Sequence, residues 1–231
     1  MKTVGIVGGI APESTIEYYR AIIEAYRAQS RDDNYPSIII NSINLRLMID
    51  LITANELAAV ADYVLDAIQK LACAGADFAL LASNTPHIVF DELRARSPLP
   101  LISIVEAAAA EAEARGFKRL GLFGTRFTMQ ARFYPEVFAR VGIEIILPNE
   151  GEQDYIHKHY MDELINGIFL PDTKTRLLEI ADNLKERSRI DGIILGGTEL
   201  PLILRDEEHN GVPFLDTTKI HVRRIVAELV E

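Results

Sequence analysis

Short runs of valine, isoleucine and leucine recur along the chain, and each passes through glycine or a small polar residue into a segment with apolar side chains three and four residues apart. Runs that are apolar on both faces are the strands of a parallel sheet, and the periodic segments between them are its crossover helices. Residues 4–7, 37–43, 78–82 and 101–104 are predicted as strands of a first set, and 120–123, 143–147, 192–195 and 214–215 as strands of a second. Amphipathic helices are predicted over 15–29, 54–74, 106–114, 133–141, 155–166, 173–188 and 218–230. No long linker separates the two sets. The junctions are proline-marked turns near 97–100 and 207–213.

The two sets echo each other. Residues 4–9 (VGIVGG) return as 120–125 (LGLFGT), 116 positions later, and 75–83 return as 189–197, 114 positions later. Residues 99–103 return as 212–216, at an offset of 113. Three anchors at nearly one offset predict an internal duplication rather than one doubly wound sheet. The expected fold is α/β, with two pseudo-symmetric Rossmann-like lobes, each built on a parallel four-stranded sheet. The first lobe is expected to take residues 1–97 plus 210–231, and the second 98–209. Open α/β sheets bind ligands beyond the carboxyl ends of their strands, so the active site is expected in a cleft between the lobes.

Charge narrows the partners. With 34 acidic residues against 24 basic ones the formal net charge is -10, which offers no electrostatic footprint for nucleic acid or for an anionic membrane surface. No apolar run approaches the roughly 18 residues of a membrane span. The single cysteine, Cys73, leaves no internal disulfide and suggests no cysteine-based metal site, as expected of a cytoplasmic protein. Residues 1–9 already form a strand and its glycines, without the basic region and cleavage site of a leader.

Four loops after strand ends carry small or polar residues that a plain connector would not need. Ser83, Asn84, Thr85, Pro86 and His87 offer hydroxyl, amide and backbone donors suited to a carboxylate, although helix capping accounts for the same residues. Gly197, Thr198 and Glu199 lie at the matching place in the second half, and a matched pair of polar loops favours a site. Gly124 to Thr128, with Thr125 and Thr128, is equally suited to an anion or to a capped turn. Gly8, Gly9, Ile10, Ala11, Pro12, Glu13 and Ser14 form the corresponding first loop. Gly5, Gly8 and Gly9 do not spell a dinucleotide fingerprint, no acidic residue closes the second strand, and no phosphate loop ending in Gly-Lys-Ser/Thr exists. Arg46 is a possible partner for a distal carboxylate, against the ordinary reading of a solvated arginine at a helix start. His157 and His159 point to different helix faces and do not suggest a shared metal. His221 reads as a packed or capping histidine, and the alanines at 107–110 as close helix packing.

Gly8-Gly9, Asn84-Thr85 with His87, residues 124–129, Gly196-Gly197-Thr198-Glu199 and residues 214–218 together resemble the aspartate/glutamate racemase family, over nearly the whole chain and in family order. The resemblance implies a cofactor-independent amino-acid racemase, an isomerase of aspartate- or glutamate-type substrates that works by two-base proton transfer at Cα. It implies catalytic positions at Ser83 and Gly197, where the family usually has cysteines. Substrate-binding positions are implied at Ile10, Arg46, Asn84, Thr85, Thr125, Thr128, Thr198 and Glu199, with no metal and no pyridoxal phosphate. A homodimer acting on a small amino acid or dicarboxylate is expected. A thiol with a pKa of about 8.5 is a workable acid and base near neutrality, whereas a serine hydroxyl is far weaker and glycine has no side chain. Racemase activity is therefore expected to be weak, altered or lost. The alternatives are one-sided chemistry on a related acid, such as decarboxylation or isomerisation, and a dicarboxylate-binding protein without catalysis.

Overall fold

The structure, a computed structural model, describes residues 2–29 and 34–231. The chain divides into two compact units, one built from the chain up to Ile104 together with His221–Glu231, the other from Val105–Ile220. The first unit runs β1 (Thr3–Gly8), α1 (Pro12–Gln29), β2 (Ser37–Ser42), α2 (Leu45–Thr53), α3 (Leu57–Cys73), β3 (Phe78–Leu81), a 3-10 turn (Thr85–Val89), α4 (Phe90–Arg96) and β4 (Leu101–Ile102). The second follows with α5 (Ile104–Ala114), β5 (Arg119–Gly124), α6 (Arg126–Gln130), α7 (Phe133–Ala139), β6 (Glu144–Ile146), α8 (Glu150–Asp162), α9 (Pro171–Ser188), β7 (Gly192–Gly196), α10 (Leu200–Ile203), β8 (Glu208–His209) and β9 (Val212–Asp216). The final helix, α11 (Thr217–Val230), begins in the second unit and from His221 onward belongs to the first. None of the described helices is long and apolar enough to cross a membrane.

The first sheet has the order β2-β1-β3-β4 and the second β6-β5-β7-β9-β8. In the first sheet the pairings of β2, β1, β3 and β4 are parallel, as are those joining β5, β6, β7 and β9 in the second. Burial on both faces explains the apolar runs: Val4 and Ile6 of β1 join Phe78 and Leu80 of β3 in one core. Helix α1 reaches that core through Tyr18, Ile22 and Tyr26, spaced four apart, and α11 through Val222, Ile225, Val226 and Leu229.

The repeat seen in the sequence is carried by strands at equivalent places in the two sheets. β1 and β5 lie second in order, β3 and β7 third, β4 and β9 fourth. A shared local device anchors both halves. The Asp77 carboxylate accepts the Thr3 backbone N–H at 2.6 Å, and the Asp191 carboxylate accepts those of Lys118 and Arg119 at 2.7 and 2.8 Å. Each aspartate returns its own N–H to the neighbouring strand, to the carbonyls of Thr3 and Arg119. The two strands of each half are thereby held in register at their starts.

Several boundaries differ from the sequence expectation. The 98–104 stretch belongs with the first unit because β4 pairs with β3, Ala79 opposite Leu101 and Leu80 opposite Ile102. Residues 210–220 remain with the second, because β9 pairs with β7, Ile193 opposite Phe214 and Leu195 opposite Asp216. The second sheet has five strands rather than four, since the turn near 207–213 holds β8, antiparallel to β9. The helix expected over 54–74 starts later, at Leu57, after a bend in which Asn55 takes a φ of 59°. An additional helix, α2, precedes it, capped by the Asn44 side chain, which accepts from Arg46 and Leu47 N–H. The strand expected to reach residue 104 stops at Ile102, and Ile104 opens α5.

His221 is a core residue, as its sequence context indicated. It is fully buried, with Nδ1 2.8 Å from the Tyr18 hydroxyl and Nε2 3.0 Å from the Ile102 carbonyl oxygen. Burial lowers its pKa to about 4, against the hydrogen bond to Ile102. His87 is buried too and stacks on Phe90 at a centroid distance of 4.7 Å. Burial, and next the proximity of His221, lower its pKa to about 3. Both imidazoles are neutral in the fold, while in the unfolded chain they titrate near pH 6.5. As pH falls below about 6.5 the unfolded chain gains protons that the fold refuses, so stability declines down to the folded values near 4 and 3. The urea midpoint is expected to drop between pH 7 and pH 5, with a shallower drop in a His221→Gln variant. An unchanged slope in that variant contradicts the assignment.

Candidate functional site

Each unit gathers its unusual residues in the loops beyond the carboxyl ends of its sheet, where parallel strands present ligand-binding positions. In the first unit β1 ends at Gly8, and Gly9 takes a φ of 79°. A Cβ at Gly9 would stand 2.8 Å from the Ile43 nitrogen and 2.5 Å from Ser42 Oγ, so the turn requires glycine on both conformational and steric grounds. The Gly9 N–H donates to Thr15 Oγ1 at 2.8 Å, and Ser14 Oγ donates to the Ala82 carbonyl at 2.5 Å, tying this loop to the end of β3. Ile10 is buried beside it. Beyond β3 come Ser83, Asn84 and Thr85, all buried, and Thr85 and Pro86 open the short 3-10 turn that carries His87. Backbone hydrogen bonds at Asn84 and Ser83 engage the His87 ring and favour its protonated form, but burial outweighs them.

In the second unit Thr125 caps α6, its side chain accepting the Thr128 N–H at 3.2 Å, and the two hydroxyls lie 3.2 Å apart. Thr128 is fully buried under Gly124, where a Cβ would come within 2.9 Å of the Gly196 carbonyl and 3.1 Å of Thr128 Cβ. Strand β7 delivers Gly197, Thr198 and Glu199 directly to α10. Thr198 and Glu199 are buried, the glutamate 1% exposed. Its Oε2 accepts hydrogen bonds from Thr198 Oγ1, at 2.8 Å, and from the Tyr160 hydroxyl of α8. Burial, and then the adjacent Glu199 charge, hold the Tyr160 phenol well above the ordinary tyrosine range. Tyr160 also closes the space over Gly197. A Cβ built there would meet the ring at Cε2, with the hydroxyl oxygen 2.6 Å and Cζ 2.8 Å away.

The positions expected from sequence therefore fall into two sets. Ile10, Ser83, Asn84 and Thr85 belong to the first unit, and Thr125, Thr128, Gly197, Thr198 and Glu199 to the second. Arg46 is not gathered with the buried loops. It lies exposed on the first turn of α2, where Nε pairs with Asp50 at 2.9 Å. His159 pairs with Glu163 at 2.7 Å, while His157 Nδ1 accepts the Arg126 N–H. Among the described residues no group of three or more His, Cys, Asp or Glu side chains could hold a metal.

Sequence reasoning missed Tyr160. It sits within the expected helix over 155–166, four residues from Ile156 and from Leu164, and so reads as an ordinary core aromatic. The only hint lies elsewhere, in a glycine at a position where the surrounding loop is polar and a side chain is expected. Ser14 was visible only as the end of the first loop, and Thr15, whose hydroxyl accepts the Gly9 N–H, gave no signal beyond belonging to a helix start. Hydroxyls and amides on short loops, with a hydroxyl at position 83 and a phenol over position 197, can bind a carboxylate and move protons, but supply no thiol.

Known proteins share this fold. The sequence model described as Asp/Glu/Hydantoin racemase matches residues 7–225. The chain is 26% identical to the broad specificity amino-acid racemase RacX of Bacillus subtilis (strain 168), over 93% of this chain and 92% of that one. Among solved structures it resembles a candidate Asp/Glu racemase from Yersinia pestis, with a TM-score of 0.90, 31% identity and both chains fully covered. An aspartate racemase homologue from Pyrococcus horikoshii OT3 gives a TM-score of 0.83 and 34% identity, again over both whole chains. With its two parallel sheets, its loops of small and hydroxyl residues and this full-length likeness, the chain belongs to the Asp/Glu/hydantoin racemase family.

Proposed function

We propose that the chain is a cofactor-independent, racemase-type isomerase of acidic amino acids, aspartate or glutamate, that exchanges the proton at Cα. The carrying observation is the burial of Asn84, Thr85, Thr125, Thr128 and Thr198 on loops beyond strand ends, within a fold of this family. These neutral amide and hydroxyl side chains, held on rigid loops, are the chemistry that hydrogen-bonds a carboxylate without a competing charge. Ser83 and Gly197 are the two reaction positions in this reading, one in each unit. With a hydroxyl and no side chain there, proton transfer is slower than two thiols would allow. The exposed free Cys73 suits a reducing cytosol, and the exposed Ile16 and Tyr19 of α1 suit a homodimer contact.

One-sided chemistry is the second reading, favoured by the absence of a side chain at Gly197. Deuterated water separates the two. When the unmodified chain is incubated with each enantiomer of aspartate and glutamate, slow loss of the α-proton signal with inversion is expected. Exchange with retention of configuration supports one-sided chemistry instead. Tight binding of these acids without any exchange contradicts an isomerase and leaves a binding protein.

A further inference from the structure

The second half-site is not empty of acid/base groups. The space that a side chain at position 197 would fill holds the Tyr160 hydroxyl, 2.6 Å from the place of that Cβ, and the hydroxyl donates to the Glu199 carboxylate. Thr198 donates to the same carboxylate oxygen, so two hydroxyls converge on one buried acid beside the reaction position. We infer that Tyr160 and Glu199 are the proton-transfer pair of the second half-site, Tyr160 meeting the substrate Cα in place of a thiol and Glu199 storing the proton. This rests on the racemase-type reading above.

The step balances without another reactant. When the α-proton is removed, the Cα–H bond breaks, its electron pair stays on the substrate as the enolate-like carbanion, and the proton bonds to the Tyr160 oxygen. In the same motion the phenol's original proton passes to Glu199, so the tyrosine ends neutral and the carboxylate ends as a carboxylic acid. Run backwards, Glu199 returns its proton to the phenol as the phenol protonates Cα. Relay through a neutral phenol suits this surrounding, because burial and the neighbouring carboxylate make a free phenolate costly to form.

Tyr160→Phe keeps the ring and removes the relay, and Glu199→Gln keeps the shape and removes the proton store. Exchange of the α-proton with inversion, measured on aspartate and glutamate in deuterated water, is expected to fall about 100-fold or more in each variant, the usual contribution of a positioned acid/base group. Melting temperatures are measured alongside. Tyr160→Phe that racemises like the unmodified chain overturns the relay and leaves the ring as filler. A loss of exchange matched by a collapse of the melting temperature in both variants overturns it as well, assigning the pair to packing. Absence of exchange in the unmodified chain is a different result: it contradicts the proposed function, and the relay falls with it.

Discussion

The backbone at Gly197 comes so close to the ring of Tyr160 that a Cβ there would overlap it, with the phenol oxygen 2.6 Å and Cζ 2.8 Å away. Tyr160 cannot be dismissed as a mobile neighbour, because its hydroxyl is bonded to Glu199 and the residue is buried. Glycine, tyrosine and glutamate thus depend on one another. Enlarging the first displaces the second, and displacing the second takes a bonding partner from a buried acid, which costs about 1–3 kcal/mol or more for a charged group. The missing side chain at position 197 is therefore matched by the surrounding structure, rather than leaving a hole.

The same unit places its other polar groups by equally local means. Thr125 caps its own helix, Thr128 is pressed beneath Gly124, and Thr217 donates to the Leu195 carbonyl at 2.8 Å, fixing the end of β7 against the start of α11. In the first unit Ser14 and Thr15 do comparable work for the loops after β3 and β1. Small residues and hydroxyls let backbone and loop approach closely, and the strands behind them keep those loops in place. That rigidity is what a proton transfer needs, since misplacing a reacting group by about 1 Å can cost roughly 100-fold in rate.

Much of this was legible in the sequence because the physical signals were local. Strands buried on both faces must be continuous runs of Val, Ile and Leu, and the duplicated Asp77 and Asp191 sit at the head of matching runs. The loops at 83–85, 124–128 and 197–199 were visible as polar residues following such runs. What stayed hidden depends on distant pairings. Whether residues 210–220 side with the first or second sheet is decided by the partner of β9, and β8 exists only because Glu208 and His209 find Pro213 and Val212. Tyr160 is the sharpest case, since its helix spacing reports only that it is buried. Its meeting with Gly197, 37 positions along the chain, is a tertiary fact. Arg46 is the opposite case: its surface pairing with Asp50, four residues on, was in plain view in the sequence.

The most direct measurement of this account compares Gly197→Cys with Gly197→Cys combined with Tyr160→Ala, by thermal melting and by α-proton exchange. Mutual exclusion of the two side chains predicts that the single variant is destabilised by about 1–3 kcal/mol, as overpacked cores are. It further predicts that the double variant recovers stability relative to the single one and exchanges the α-proton through the new thiol. A single variant as stable as the unmodified chain, with its thiol free to drive exchange beside an intact Tyr160, would contradict it.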